Sequence, residues 1–336
     1  MKTTDFAGYL TAFFTDYLPG VRNMSGNTIM AYRDAFRLLL VFCHDCENKS
    51  PEKLTLKSLD DRLVLRFLDW LQQERGCSIA TRNQRLAAIH AFFRYVQAQE
   101  PGHMLPCQRI LQVPFKKVQQ SIVQHLTPEQ IRDLLAAPGM SSPIRRRDTT
   151  LLSVLYDTAA RVQELCDLRV CDVRLEHPAL IILTGKGRKT RRVPILGNTV
   201  ELLRAYLKEK GLLQNGKQDA PLFFNQRLTK LTRGGVSHIL QKYAASIDDK
   251  YPSITKKLTP HVLRHSKAMH LYQAGVNLVY IRDILGHADI ATTDIYARAD
   301  TESKRKALER AYPDITPGTL PDWNRDENLL DFLNRL

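Results

Sequence analysis

The sequence predicts a mainly α fold with a small β-sheet, an α+β chain made of a helical N-terminal domain and a second, mixed domain. Three observations predict it. Apolar residues recur at the 3.6-residue period in "TIMAYRDAFRLLLVF" (28–42) and "TRNQRLAAIHAFFRYVQA" (81–98). One segment, "ALIILTGKGRKTRRVPIL" (179–196), reads as two short strands around a basic turn. Between the two regions, "QEPGHMLPCQRILQVPFKKVQQ" (99–120) carries Pro101, Gly102, Pro106 and Pro114, which punctuate any helix.

The elements follow in order. Ile29, Tyr32, Phe36, Leu39 and Leu40 form the stripe of the first helix, and Leu86, Ile89, Phe92, Phe93 and Val96 that of the second. The opposite face of the second is read as Arg82, Arg85 and Arg94, and exposed helix faces are usually charged. The domains expected are 1–100, a linker over 101–122, 123–314, and a tail helix over 315–336. "LTPEQIRDLLAA" opens the second domain, with Thr127 as N-cap and Pro128 as first helical residue. "RDTTLLSVLYDTAARVQELCDL" (147–168) reads as one long helix, "GNTVELLRAYLKEKG" (197–211) as a helix with a glycine stop, and "PLFFN" (221–225) as a short strand. Helices follow near 233–247, 260–274, 277–285 and 289–297. In the tail, Leu329, Leu330, Phe332, Leu333 and Leu336 make one apolar side, suited to a neighbouring protomer or to packing in cis.

Composition narrows the function. Among 336 residues, 43% are hydrophobic and 25% charged, as in globular proteins, and the net charge of +14 points to a polyanionic partner, nucleic acid before an anionic membrane surface. No apolar run approaches the roughly 18 residues that span a bilayer, and the first residues lack the apolar core of a signal peptide. Six scattered cysteines suggest no disulfide framework, so a reducing cytoplasm is expected. Cys43 and Cys46 form a C-x-x-C without the second pair a zinc site needs.

"TPHVLRHSKAMH" (259–270) concentrates the chemistry. Thr259 and Pro260 start a helix, and His261, Arg264 and His265 then share a face. The two histidines could hold a metal, the cluster could grip an anion, or the face could simply be solvated. A permanent cation between the histidines disfavours a metal, whereas a guanidinium fork matches two phosphate oxygens. Three other stretches fit an anion. "TAARVQEL" (158–165) sets Arg161 in apolar surroundings, where it needs a ligand or a carboxylate such as Glu164. "GKGRKTRR" (185–192) packs five cations into eight residues of a turn that could enter a DNA groove or be a solvated loop. "ILGHADIATTDIYAR" (284–298) offers His287 and Tyr296, each unremarkable alone.

Together, the order Arg, Lys, His-x-x-Arg, Gly-His, Tyr resembles the tyrosine recombinases, the phage-integrase-type enzymes, over about residues 5 to 310. The resemblance implies a helical, SAM-like core-binding domain ahead of a catalytic domain. It implies Arg161, Lys186, His261, Arg264, His287 and Tyr296 as catalytic residues, with Glu164 supporting. The hairpin residues Arg188, Lys189, Arg191 and Arg192 join Arg82 and Arg85 as candidate DNA contacts. Ala159 and Ala160 stand where many members have glycine, a departure expected to have little consequence.

The implied reaction is attack of Tyr296 on a DNA phosphodiester. Arg161, Arg264 and His287 would stabilise the charge on the non-bridging oxygens, Lys186 would protonate the leaving 5′ oxygen, and His261 would take the phenol's proton. A free tyrosine titrates near pH 10, and the two arginines would help ionise it. No metal or other cofactor is required. The partners implied are a double-stranded recombination site and further protomers, a dimer per site and a tetramer in the synapse, of this chain or with a related recombinase. Integration or excision of a mobile element is the role favoured, with chromosome or plasmid dimer resolution as alternative. A type IB topoisomerase, a non-catalytic DNA-binding protein and a metal-dependent nuclease are rivals of other classes.

Overall fold

In the computed structural model, residues 4–118, 124–185, 187, 189–252, 254–287, 292, 293, 295 and 296 are described. Lys186, Arg188 and the tail helix lie outside the described residues, as does most of the helix expected over 289–297. Two compact units divide at Ser121/Ile122.

The first unit is helical. α1 (Asp5–Ala12) runs into a wider π-type turn (Phe13–Val21), followed by α2 (Gly26–Asp45), α3 (Asp61–Gln73), α4 (Ile79–Gln99) and α5 (Met104–Leu111). Side-chain caps start α2, α3 and α4: Ser25, Asp60 and Ser78 each accept an amide three residues on. The core is aromatic, with Phe36 edge-on to Phe92 at 5.2 Å and Phe13 edge-on to Phe92 at 5.4 Å. Each such buried ring contributes about 1.5–3 kcal/mol. The proline-punctuated stretch is thus not all linker: α5 lies within it, and Cys107, Ile110 and Val113 are buried in this core.

The second unit opens with α6 (Pro128–Ala136), capped by a reciprocal Thr127–Gln130 box. The stretch expected as one helix over 147–168 is two: α7 (Pro143–Asp157) and α8 (Val162–Asp167). Between them Ala159 is fully buried at φ +48°, in the left-handed region. Ala159 thus holds a backbone conformation that favours glycine. Ala159→Val should cost about 3 kcal/mol, by adding β-branched strain and overpacking. Ala159→Gly should stay within about 1 kcal/mol of wild type, as relief of strain offsets a lost methyl contact. Urea midpoints with unchanged slope check both.

A three-stranded antiparallel sheet follows: β1 (Val173–Arg174), β2 (Leu180–Thr184) and β3 (Thr190–Pro194), in the order β1-β2-β3. Ile181 pairs Val193 and Leu183 pairs Arg191. "PLFFN" is not a strand; Pro221 and Phe224 make only isolated bridges to Arg169 and Lys230. α9 (Gly197–Glu209), α10 (Arg233–Ala245), α11 (Ile254–Lys257), α12 (Pro260–Gln273) and α13 (Leu278–Leu285) complete the described helices. A small satellite core of Ala159, Ala268, Met269, Ile281, Leu285 and Tyr296 joins the α7–α8 turn to α12 and α13.

Candidate active site

α12 places the chemistry. Its N-cap Thr259 accepts the Val262 amide at 3.2 Å, and the next turns present His261, Arg264 and His265. Arg264 is 2% exposed. One Nη donates to the Ala159 carbonyl at 2.6 Å and the other to the Leu285 carbonyl. The left-handed turn at Ala159 and the end of α13 thus aim two backbone oxygens at one guanidinium. Burial, then the charges of Arg161 and Arg191, lowers its pKa to about 10, so it stays charged at neutral pH.

Arg161 is not inside a helix but caps α8, with its side chain 37% exposed. Glu164, 3% exposed, accepts four hydrogen bonds: Arg161 N (2.8 Å), Arg161 Nη1 (2.8 Å), Arg191 Nη1 (2.9 Å) and Arg191 Nη2 (2.7 Å). Burial alone would raise the Glu164 pKa, but the hydrogen bonds from Arg191 and Arg161 outweigh it and hold it low. Two glycines permit this packing. A Cβ on Gly185 would meet Glu164 Oε1 at 2.9 Å, and one on Gly286, at φ +62°, would meet the Arg191 side chain at 3.0 Å.

The result is a cleft of about 790 Å³ lined by Arg161, Gly185, Lys189, Arg191, Arg282, Gly286 and His287, among others. His287 Nδ1 lies 3.0 Å from Thr293 Oγ1. The Tyr296 ring is fully buried in the satellite core, and its hydroxyl lies 2.8 Å from His265 Nδ1. Such a cleft can bind an anion, and Arg264 reaches its wall at the Leu285 carbonyl, next to Gly286, while the neighbouring His265 holds the phenol. Among the described residues, no group of three or more His, Cys, Asp or Glu could hold a metal, and no helix is long and apolar enough to cross a membrane.

Comparison with known proteins gives the family. Residues 124–303 match the Phage integrase family, and residues 12–100 match its N-terminal SAM-like domain. The chain is 38% identical over 336 residues to a putative integrase/recombinase of Sinorhizobium fredii, covering 100% of this chain and 99% of that protein. It belongs to the phage integrase family: it is a tyrosine recombinase. The tyrosine recombinase XerC of a Roseiflexus species is 35% identical, over 90% of this chain and 93% of that one. Among solved structures, the XerH site-specific recombinase bound to its difH substrate matches with a TM-score of 0.65 and 25% identity, over 86% of this chain and 80% of that one. The Tn1549 transposon integrase shares the fold, with a TM-score of 0.70 and 19% identity, over 90% of this chain and 97% of that one. The recombinase is thus a DNA strand transferase by family.

Several expectations about the site need correction. Tyr296 pairs with His265, not with His261, whose ring centre lies 5.1 Å from that of His265. The arginines do not ionise the phenol here: burial pushes its pKa up to about 12, and Arg264 opposes that only in part. Arg191 is not a surface cation. Strand alternation puts it on the face of buried Val193, and it donates to Glu164 and to the Ile284 carbonyl. Arg192, on the other face, and Lys189 are exposed.

Arg82 and Arg85 are not on the exposed face of α4 either. Counting 82, 86, 89, 93 and 85, 89, 92, 96 puts both on the apolar stripe. Arg82 is 2% exposed and donates to the Pro114 carbonyl at 3.1 Å, and Arg85 donates to the Ala31 carbonyl at 2.9 Å. Both serve the first unit's own backbone.

His265 and His287 are both lowered to about 4, by burial first and then by neighbouring positive charge. Both are neutral in the folded recombinase at pH 7. Unfolded histidine titrates near 6.5. Between pH 6.5 and about 4 the unfolded chain binds more protons, so their stability contribution is complete above pH 6.5 and is lost as pH falls. The melting temperature of the DNA-free protein should therefore drop steeply from pH 7 to pH 5. His265→Gln and His287→Gln should each flatten that slope; an unchanged slope in both would contradict the assignment.

Proposed function

We propose that this recombinase cuts and rejoins duplex DNA at a specific site through a 3′-phosphotyrosine on Tyr296, during integration and excision of a mobile element. The observation that carries it is the placement of the Tyr296 hydroxyl on His265, one residue from Arg264, whose guanidinium reaches the Leu285 carbonyl next to Gly286 in the wall of the cation-lined cleft. Tyr296 Oη forms the new bond to phosphorus while the bond to the 5′ oxygen breaks. Arg161 and Arg264, with His287, stabilise the non-bridging oxygens as charge develops. Lys186 protonates the 5′ oxygen. His265 takes the phenolic proton, the role the sequence assigned to His261. An incoming phosphodiester adds negative charge beside His265 and thereby raises its basicity. Glu164 positions Arg161 and Arg191 and does not react. The bond energy stays in the phosphotyrosine ester, so a second 5′-hydroxyl can reverse the step without ATP, metal or other cofactor.

Exposed Lys189 and Arg192, with Arg188, contact the DNA backbone, and binding weakens with salt as counterions are released. Two protomers occupy each site and four form the synapse, where strands exchange through a four-way junction, in the cytoplasm. The end-to-end similarity to a putative integrase/recombinase supports the mobile-element role. Dimer resolution is the second reading, favoured by the XerC relatives. The test is a plasmid carrying two copies of a candidate site in direct repeat. Excised circles from element ends support the first reading, circles only from chromosomal sites support the second, and relaxation without exchange contradicts both.

A further inference from the structure

The turn that ends α7 carries a buried carboxylate that the reaction above does not use. Asp157, the last residue of α7, is 7% exposed. One of its oxygens accepts the Lys267 ammonium at 3.0 Å, and the other accepts the Leu196 amide at 2.9 Å. The Lys267 side chain is 13% exposed, and its ammonium stands 5.0 Å from the centre of the Tyr156 ring. The cation is thus held between a carboxylate and an aromatic face.

These contacts join three parts of the second unit. Lys267 stands on α12 one turn beyond Arg264, at a neighbouring position on the helix surface. Leu196 lies just past β3 and is the N-cap of α9. Asp157 itself comes two residues before Ala159, whose carbonyl accepts Arg264 Nη1 at 2.6 Å, and four before Arg161. The turn that delivers Arg161 is therefore fastened to α12 through Asp157 as well as through Ala159. The same carboxylate holds the end of the strand that carries Arg191, and Arg191 shares Glu164 with Arg161. A buried ion pair returns little net stability, because desolvating both charges offsets their attraction. What such a pair does fix is distance and direction.

We propose that Asp157 and Lys267 are positioning residues that set the spacing of Arg161 and Arg264, and so the fit of the two guanidiniums to one phosphate. This rests on the reading of the cleft as the active site. Both side chains act through the arginines and not by touching DNA or the reacting atoms. Loosening the pair lets the α7–α8 turn shift against α12, and the two forks then no longer meet the same phosphate together.

The test is a double-mutant cycle on the full chain, read as the single-turnover rate of covalent complex formation on a nicked half-site. The changes are Asp157→Ala and Arg161→Lys. Asp157→Ala is expected to slow the otherwise unaltered enzyme about tenfold, since misplacement by about an ångström is costly. Arg161→Lys replaces the rigid fork with a flexible point charge, which meets the phosphate at either spacing. In that background Asp157→Ala is expected to slow the rate less than about twofold further. A role in general stability would instead slow both backgrounds alike. Effects that multiply, or an Asp157→Ala enzyme as fast as wild type, would overturn the proposal. If Asp157→Ala fails to fold, the same cycle in Lys267→Met, which leaves the bond from Leu196 in place, decides it. A Tyr296→Phe control separates the two ideas: an adduct that persists in it sinks the active-site reading, whereas a Tyr296-dependent adduct with multiplying effects sinks the positioning role alone.

Discussion

Arg264→Ala is expected to lower single-turnover strand cleavage by about 10³-fold and to destabilise the DNA-free protein as well. The side chain has two jobs that one truncation removes. Two of its five N–H groups hold the Ala159 and Leu285 carbonyls, which are left without their partner when it goes. Each buried carbonyl so orphaned costs about 1–3 kcal/mol. In the proposed reaction its remaining N–H groups meet a phosphate oxygen, and loss of one preorganised donor at a developing oxyanion costs about 10²–10³ in rate. Arg264→Lys separates the effects. An ammonium keeps the charge but cannot fork between two carbonyls, so it should recover binding to DNA yet less than about a tenth of the cleavage rate. Recovery of full cleavage by lysine would show that charge alone is needed.

Glu164→Gln is expected to cost about 3–5 kcal/mol of stability, the range for breaking a buried ion pair from one side. The carboxylate is 3% exposed, and its partner Arg191 is 11% exposed. An amide in its place removes the charge that neutralises Arg191 and turns one acceptor into a donor facing a guanidinium. Denaturant unfolding at neutral pH measures the loss. Because the carboxyl is held below its ordinary range, its contribution is present above pH 4.5 and fades as pH falls through the lowered value. The variant should therefore also be less sensitive to acid. A loss under 1 kcal/mol would mean that water already screens the pair.

Much of this was legible in the sequence, for reasons that differ by element. α2 and α4 were readable because their stripes repeat over several turns. The break between α7 and α8 was not, because Ala159 and Ala160 are good helix formers and the turn's partner, Arg264 on the Ala159 carbonyl, lies far along the chain. Arg191 could have been found: in β3, alternation from Val193 puts it inward. So could the inward Arg82 and Arg85, by counting from Leu86 and Ile89 along α4. The choice between His261 and His265 could not, since both sit on the same face of α12 and Tyr296 reaches it from a segment thirty-one residues away. "PLFFN" failed as a strand because so short an apolar run carries no period of its own.

In the proposed reaction a pocket of fixed cations, without a metal, holds the DNA phosphate for attack by Tyr296. The most direct measurement is denaturing electrophoresis of protein incubated with a labelled, nicked recombination half-site and excess chelator, followed by peptide mapping of the adduct. The account predicts a covalent complex in chelator, with the 3′ phosphate on Tyr296, and none in Tyr296→Phe. Cleavage that requires a divalent ion, or an adduct on another residue, would contradict it.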